Sequence, residues 1–331
     1  MNPRICLLWL FAAAGMASVS GVQAAVPTVF GPGVISGPAN DAAPTFTPDG
    51  RTVYFFRSNH QDYDILVSHR AGDRWSTPEI APFSGRWRDL EPAISPDGSY
   101  LIFASSWPLD GGNRQLDGAW NGQTHAGKGG NLWRVNREGH RWSQPVRLPE
   151  AVNRVTSTFG PSIARDGSLY FMAATGEGGR FQLWCSRFQD GHYQPGRPLP
   201  FSTGQWSDFD AAVASDQSFI VFASSRPPTP AHTAWVFITY RESGRWSKPV
   251  LLGPEINRLG PIDELRLAPD GHTLYFGSGY VMPPVYPKTG KSAERGSRRM
   301  VEWNNGNENI WKADLSPWLH SVARGWPASR A

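Results

Sequence analysis

Ser95-Pro96-Asp97-Gly98, with Phe103 just beyond it, is the stretch that decides how this chain reads. Related phrases stand at Thr47-Pro48-Asp49-Gly50, Ala164-Arg165-Asp166-Gly167, Ala214-Ser215-Asp216-Gln217 and Ala268-Pro269-Asp270-Gly271. Each is a turn signal between two β-rich runs. Pro suits the first turn positions, and Gly supplies the positive φ that a hairpin needs. An aromatic follows six residues after the Asp in four copies (Phe55, Phe103, Phe222, Phe276) and five after it in the other (Phe171). A large apolar residue marks the next strand of each copy: Leu66, Trp133, Trp184, Phe237 and Trp311. Nine residues beyond the first four of these stand Trp75, Trp142, Tyr193 and Trp246.

Each unit therefore reads as four short strands. The first leads into the Asp turn, the second leaves it, the third carries the large apolar residue, and the fourth begins near the Trp. Four-stranded units repeating every 40–50 residues or so are propeller blades. The turn aspartates at 49, 97, 166, 216 and 270 keep that period, except where an insertion near 107–130 lengthens the second unit. The fifth unit reaches its third strand at Ile310-Trp311 but has His320 where the next aromatic belongs. Phe30-Gly31-Pro32 precedes the first repeat much as Trp75-Ser76-Thr77-Pro78 precedes the second. The expected architecture is an all-β, five-bladed β-propeller of four-stranded antiparallel blades. An N-terminal strand near Thr28 to Ile35 closes it by pairing beside Ile310-Trp311, which removes an exposed sheet edge.

Composition agrees with a folded β protein. The 331 residues are 40% hydrophobic and 18% charged, with 35 Gly and 29 Pro. That charged fraction is below the usual ~25%, against a long coiled coil or an acidic tail. The formal net charge is only +4, and no basic stripe marks a nucleic-acid site, so no nucleic acid is expected as a partner. Arg4, the apolar run Ile5 to Ala14 and the small-residue ending Val22-Gln23-Ala24 read as a cleavable signal peptide over 1–24. The run is too short to span a bilayer, so no membrane span is expected after cleavage. Residues 25–331 then form one domain in the periplasm or outside the cell, and a monomer is expected. Cys6 leaves with the leader and Cys185 remains, so no internal disulfide is possible; Cys185 reads as a buried core thiol.

The Ser-Pro-Asp-Gly turn with its aromatic, Gly129-Gly130-Asn131-Leu132-Trp133 and Arg74-Trp75-Ser76-Thr77-Pro78 resemble the WD40-like repeats of the TolB-like β-propeller family. The resemblance covers nearly the whole mature chain and implies the propeller fold. Propellers of this kind include binding proteins, translocation factors and some carbohydrate-active enzymes, so it implies no single activity.

Strand parity names a working face. The Asp turns lie on one face, here the bottom, so the starts of the first strands and the ends of the second lie on the opposite, top face. Both insertions, near 107–130 and 280–305, open there. So do the acids Asp41, Asp89, Glu91, Asp208, Asp210, Asp263 and Glu264, joined by Arg57 and Arg226. Two blades share Gly-x-Trp-x-Asp-x-(Asp/Glu): Gly85 to Glu91 with Trp87, and Gly204 to Asp210 with Trp206. Indoles beside carboxylates suit sugar faces and hydroxyls, or a cationic ligand. The structural alternative is that such carboxylates accept backbone N–H bonds and such Trp fill space between blades. The bottom-face aspartates are expected to serve the turns alone.

Chemical signals are sparse. His60, His125 and His232 fall in top-face loops without the spacing of a metal motif. No cofactor is indicated with certainty; the sequence leaves open a divalent cation held by the top-face acids or by these histidines. No nucleophile elbow or phosphate loop is visible. The preferred reading is a non-catalytic propeller binding a protein, peptide or glycan of the cell envelope on its top face. The alternative is a carbohydrate-active hydrolase or lyase that uses the top-face carboxylates, with or without a metal.

Overall fold

The five phenylalanines of the repeat are cross-strand partners of the five large apolar residues. Phe55 faces Leu66, Phe103 faces Trp133, Phe171 faces Trp184, Phe222 faces Phe237, and Phe276 faces Trp311. All five phenylalanines are among the largest fully buried side chains. Their recurrence is the recurrence of one packing site, repeated once per blade. Phe171 follows its Asp by one residue less because Ile163 pairs with Leu169, whereas Phe46 pairs with Val53 across a turn one residue longer.

These pairs belong to a computed structural model that describes residues 26–322. The first blade comprises Asn40–Phe46, Thr52–Ser58, Tyr63–Ala71 and an outer edge broken into Arg74–Trp75 and Glu79–Ile80. The second is built on Asp89–Ile94, Tyr100–Ser105 and Asn131–Glu138, the third on Thr158–Ile163, Leu169–Ala173 and Gln182–Ser186. The fourth uses Asp208–Val213, Phe219–Ser224 and Trp235–Glu242, and the fifth Asp263–Leu267, Thr273–Ser278 and Asn309–Asp314. The chain is a five-bladed β-propeller.

The outer strand of the fifth blade comes from the N-terminus. Thr28–Val29 pairs antiparallel with Lys312 and Trp311, and the Phe30 N–H donates to the Ile310 carbonyl at 2.8 Å. Val29 thus stands opposite Trp311 as Ile80 stands opposite Leu66 and Leu251 opposite Phe237. After Asn309–Asp314 the last described residues form the helix Ser316–Val322. The expected leader, residues 1–24, lies outside the described residues.

The repeat aromatics split between blade centres and the seams. Trp142 of the second blade packs edge-on against Tyr54 of the first, its Nε1 donating to the Tyr54 hydroxyl at 3.2 Å. Trp75 meets Phe30 and Phe46. Trp133 is nearly buried and stacks on Trp107, centroids 4.7 Å apart. Cys185 departs from its reading: it is half-buried, because its strand turns that side chain toward the Tyr170 hydroxyl and not into the blade centre.

The bottom-face aspartates do what turn chemistry requires. Asp49 accepts from Thr47 Oγ1 at 2.6 Å and from the Arg51 N–H, and Asp97 from Ser95 Oγ and the Ser99 N–H. The 107–130 insertion forms the hairpin Gly118–Trp120 with Gln123–His125. The 280–305 insertion carries the helix Gly290–Arg299, which has no buried residue. No helix among the described residues is long and apolar enough to cross a membrane.

Candidate functional site

The innermost strand of every blade carries a bulge. Pairing shifts between Ala42 and Thr45, Leu90 and Ala93, Phe159 and Ser162, Phe209 and Ala212, and Asp263 and Arg266. Within each bulge one residue takes a left-handed backbone: Ala43, Glu91, Gly160, Asp210 and Glu264. A bulge re-aims a side chain out of the pleat. Here the re-aimed residues form a ring around the central channel, and three of the five are acids.

Glu91, Asp210 and Glu264 come from the second, fourth and fifth blades and converge, with one carboxylate oxygen from each within 4.8 Å of the others. Among the described residues this is the one cluster of its kind, and three such acids could hold a metal ion. Its hydrogen bonds run around the ring. Glu91 Oε2 accepts from the Gly160 N–H at 2.6 Å, and Asp210 Oδ2 from the Glu264 N–H at 2.9 Å. Asp210 Oδ1 is buried with no hydrogen-bond partner. Burial raises all three carboxyls; it lifts Asp210 to about 7, with the neighbouring Glu91 adding to the effect. Arg266 lies beneath them. Its Nη1 donates to the Leu265 carbonyl at 2.7 Å, and its Nη2 stands 3.9 Å from Glu264 Oε2.

Above the cluster a cavity of about 300 Å³ opens on the top face. Glu91, Glu264 and Glu308 line its floor, and Tyr63, Trp120 and Phe181 line its wall. Arg88 lies over the Tyr63 ring at 4.0 Å, and Trp120 stacks on His125 at 3.7 Å. The inserted hairpin is held over the third blade, the Asn121 N–H donating to the Gly179 carbonyl and the Ala119 N–H to Ser157 Oγ. A second cavity of about 270 Å³ lies at the bottom, lined in part by Arg165, Arg266 and Pro96. Arg266 and the acids above it thus form a septum across the channel.

The other sequence candidates separate by role. Asp41, its side chain fully buried, accepts from Arg57 Nε at 2.6 Å and from the Gly37 N–H at 2.7 Å, and Arg57 also reaches the Ile35 carbonyl. This pair ties the N-terminal segment to the first blade. Burial nevertheless raises Asp41 to about 6, outweighing the guanidinium that pulls it down. Asp89 accepts from Ser84 Oγ at 2.9 Å, and Asp208 from Ser202 Oγ, Ser224 Oγ and Arg226 Nη2 at 2.7, 2.6 and 2.7 Å. These acids close the tops of their blades, and burial lifts Asp89 to about 7. Asp263 is exposed, while Glu308 beside it is half-buried, its carboxyl raised by burial and by Asp263.

Trp87 and Trp206 lie outside the cavity wall. Trp87 tilts against Trp107 at 6.4 Å, and Trp206 is solvent-exposed. His60 borders the cavity beside Asn40, His125 is taken up by Trp120, and no histidine joins the acid cluster.

Sequence reasoning missed Tyr63, Trp120, Phe181 and Glu308. A periodic signal was present for three of them. Tyr63, Phe181 and Glu308 each stand three residues before the large apolar residue of their blade, Leu66, Trp184 and Trp311. Likewise, all five left-handed residues stand six before their turn aspartate. Trp120 had no such signal, because it sits in an insertion.

No protein-family profile and no curated protein matches the chain. Among solved structures, it is similar to TolB from Acinetobacter baumannii at 14% identity and a TM-score of 0.46, covering 83% of this chain and 55% of that one. It is similar to a thermostable family-43 glycoside hydrolase at 11% identity and a TM-score of 0.49, covering 90% and 98%. It is also similar to a calcium-binding protein, regucalcin, from Agrobacterium tumefaciens at 13% identity and a TM-score of 0.44, covering 88% and 94%. At such identities the likeness concerns the propeller fold alone.

Proposed function

We propose that this protein is an exported propeller of the cell envelope that binds a glycan or peptide in the funnel on its top face, without catalysis. One observation carries the reading: aromatic walls and carboxylates share a single cavity at that face. Its volume, about 300 Å³, is at the small end of ligand pockets, roughly 300–1,000 Å³, and fits one sugar ring or one side chain. Aromatic faces receive the apolar face of a sugar or a cation, and carboxylates accept from hydroxyls and ammonium groups. The leader-like segment at 1–24 supports export.

A second reading is a carbohydrate-active hydrolase or lyase. Asp210, raised to about 7, has the proton affinity that a general acid needs at neutral pH. Asp210 is nevertheless buried and does not border the funnel, so binding is preferred. The test is a calorimetric screen of glycans, peptidoglycan fragments and peptides against residues 25–331, with each hit assayed for turnover. The expected result is saturable binding that leaves the ligand intact and weakens in Tyr63→Ala and Trp120→Ala. Binding that ignores both variants overturns the funnel as the site, and turnover of a bound glycan transfers the case to the second reading.

A further inference from the structure

We infer that the floor of the funnel is a divalent-cation site, with Glu91, Asp210 and Glu264 as protein ligands and calcium as the ion that fits best. The inference deepens the proposed function. A cation there would keep positions open toward the cavity, so the ligand class becomes one with oxygen donors, hydroxyl or carboxylate.

Geometry comes first. Calcium takes 6–8 oxygens at roughly 2.3–2.6 Å in flexible arrangements, so opposed ligand oxygens lie about 5 Å apart. Three carboxylate oxygens within 4.8 Å of one another can therefore touch one ion. The donor set is oxygen alone, which suits a hard cation and not zinc or copper.

The second observation is independent of the clustering. Asp210 is only 3% exposed, yet its Oδ1 accepts no hydrogen bond. A buried polar atom without a partner is costly, and the structure supplies no donor for this one. Its neighbours do not resolve the matter. Two guanidinium groups act on the cluster, Arg88 beside Glu91 and Arg266 beneath the three acids. Arg266 Nη1 is engaged by the Leu265 carbonyl, its Nε reaches toward the Pro92 carbonyl at 3.4 Å, and its Nη2, without a hydrogen-bond partner, stands 3.9 Å from Glu264 Oε2. Glu91, Asp210, Glu264 and the neighbouring Asp263 outnumber these two guanidinium groups, and a divalent ion would offset the excess of negative charge.

Access is compatible. Glu91 and Glu264 border the cavity, whereas Asp210 lies behind them. Coordination positions that the protein leaves open would face the cavity, where water or ligand oxygens complete the shell. Without an ion, three carboxylate oxygens this close together favour protonation, which is the competing state.

The experiment uses the mature chain, stripped with EDTA and titrated with CaCl₂, MgCl₂ and MnCl₂ by calorimetry, with thermal unfolding in parallel. The expected result is one Ca²⁺ per chain, a higher unfolding midpoint, and weaker binding of Mg²⁺. Asp210→Asn and Glu264→Gln should each weaken Ca²⁺ at least tenfold while remaining folded; Asp166→Asn, on the bottom face, should leave it unchanged. No Ca²⁺ binding by the wild type at millimolar concentration overturns the inference. So does wild-type-like affinity in both acid variants. A ligand found in the funnel screen is then titrated with and without EDTA. Binding that persists undiminished in EDTA overturns the coordinating role and leaves the funnel reading intact. Ca²⁺ binding without any funnel ligand leaves the cation site standing and counts against the proposed function instead.

Discussion

Glu308 occupies the space that a side chain at Gly277 would need. A Cβ on Gly277 would collide with Glu308 Oε1 and come within 2.8 Å of Asp263 Oδ1. Gly277 lies opposite Asp263 in the fifth blade, at the position where the second and fourth blades place Ser105 and Ser224 opposite Asp89 and Asp208. In those blades a serine satisfies the aspartate. In the fifth, the serine is gone and Glu308, the residue before Asn309–Asp314, fills the space beside Asp263.

Gly277→Ala should therefore destabilise the protein by about 1–3 kcal/mol, the range for forcing extra volume into a packed site. The double variant Gly277→Ala/Glu308→Ala should recover part of the loss, because it removes the colliding carboxylate. Urea unfolding of the two variants and the wild type measures this. Equal stability of single and double variants would show that the clash is relieved elsewhere.

Arg57→Met should expose the cost of burying Asp41. Breaking a buried ion pair typically costs 3–5 kcal/mol; Arg57 is 30% exposed, so about 2–4 kcal/mol is expected at pH 8. The sign with pH follows from the raised carboxyl. Asp41 stands at about 6 in the folded chain against 3.8 when free, so the folded state holds its proton longer. Its favourable contribution is complete below pH 3.8 and is lost as pH rises through 6. Without the guanidinium the carboxyl moves higher still. The gap between variant and wild type should then widen from pH 5 to pH 8, and a pH-independent gap in unfolding midpoints would contradict the assignment.

Trp133→Ala should cost about 3–5 kcal/mol, as expected for removing a large aromatic from a core. Trp133 faces Phe103 across the strand pair and stacks on Trp107, so its loss leaves a cavity between the blade centre and the inserted segment. An unfolding midpoint that does not move would mean Trp107 closes the gap.

Deleting residues 26–36 should expose the outer edge of Asn309–Asp314. The segment supplies Thr28–Val29 to that strand and buries Phe30 and Ile35. An open, unpaired edge of this kind promotes association between chains. Light scattering and sedimentation should show more association than for residues 25–331 at the same concentration.

In the funnel, Tyr63→Ala and Trp120→Ala should each weaken ligand binding by about 1–3 kcal/mol with little loss of fold, since aromatic anchors carry much of a site's energy. Trp87→Ala and Trp206→Ala, outside the wall, should matter less. Comparable losses in all four would extend the site over the shoulders of the funnel.

The sequence by itself determined the blade count, the closing strand and the role of the turn aspartates. Each of these rests on local chemistry repeated five times: an Asp turn, a Phe and its large apolar partner at fixed offsets leave one architecture that buries them all. It also put Glu91, Asp210 and Glu264 at one end of the channel, because strand parity fixes which end of a strand a residue occupies. Tertiary structure alone separated those three from Asp41, Asp89 and Asp208. The distinction depends on the bulge, which turns the residue six before the turn aspartate into the channel, while Asp41, Asp89 and Asp208, eight before theirs, stay within their blades and meet serines or arginines. Nor could the chain order disclose that Trp120 would complete the funnel. That residue lies in an insertion outside the repeat, and its position over the third blade is set by hydrogen bonds to Gly179 and Ser157, which only the closed ring brings within reach.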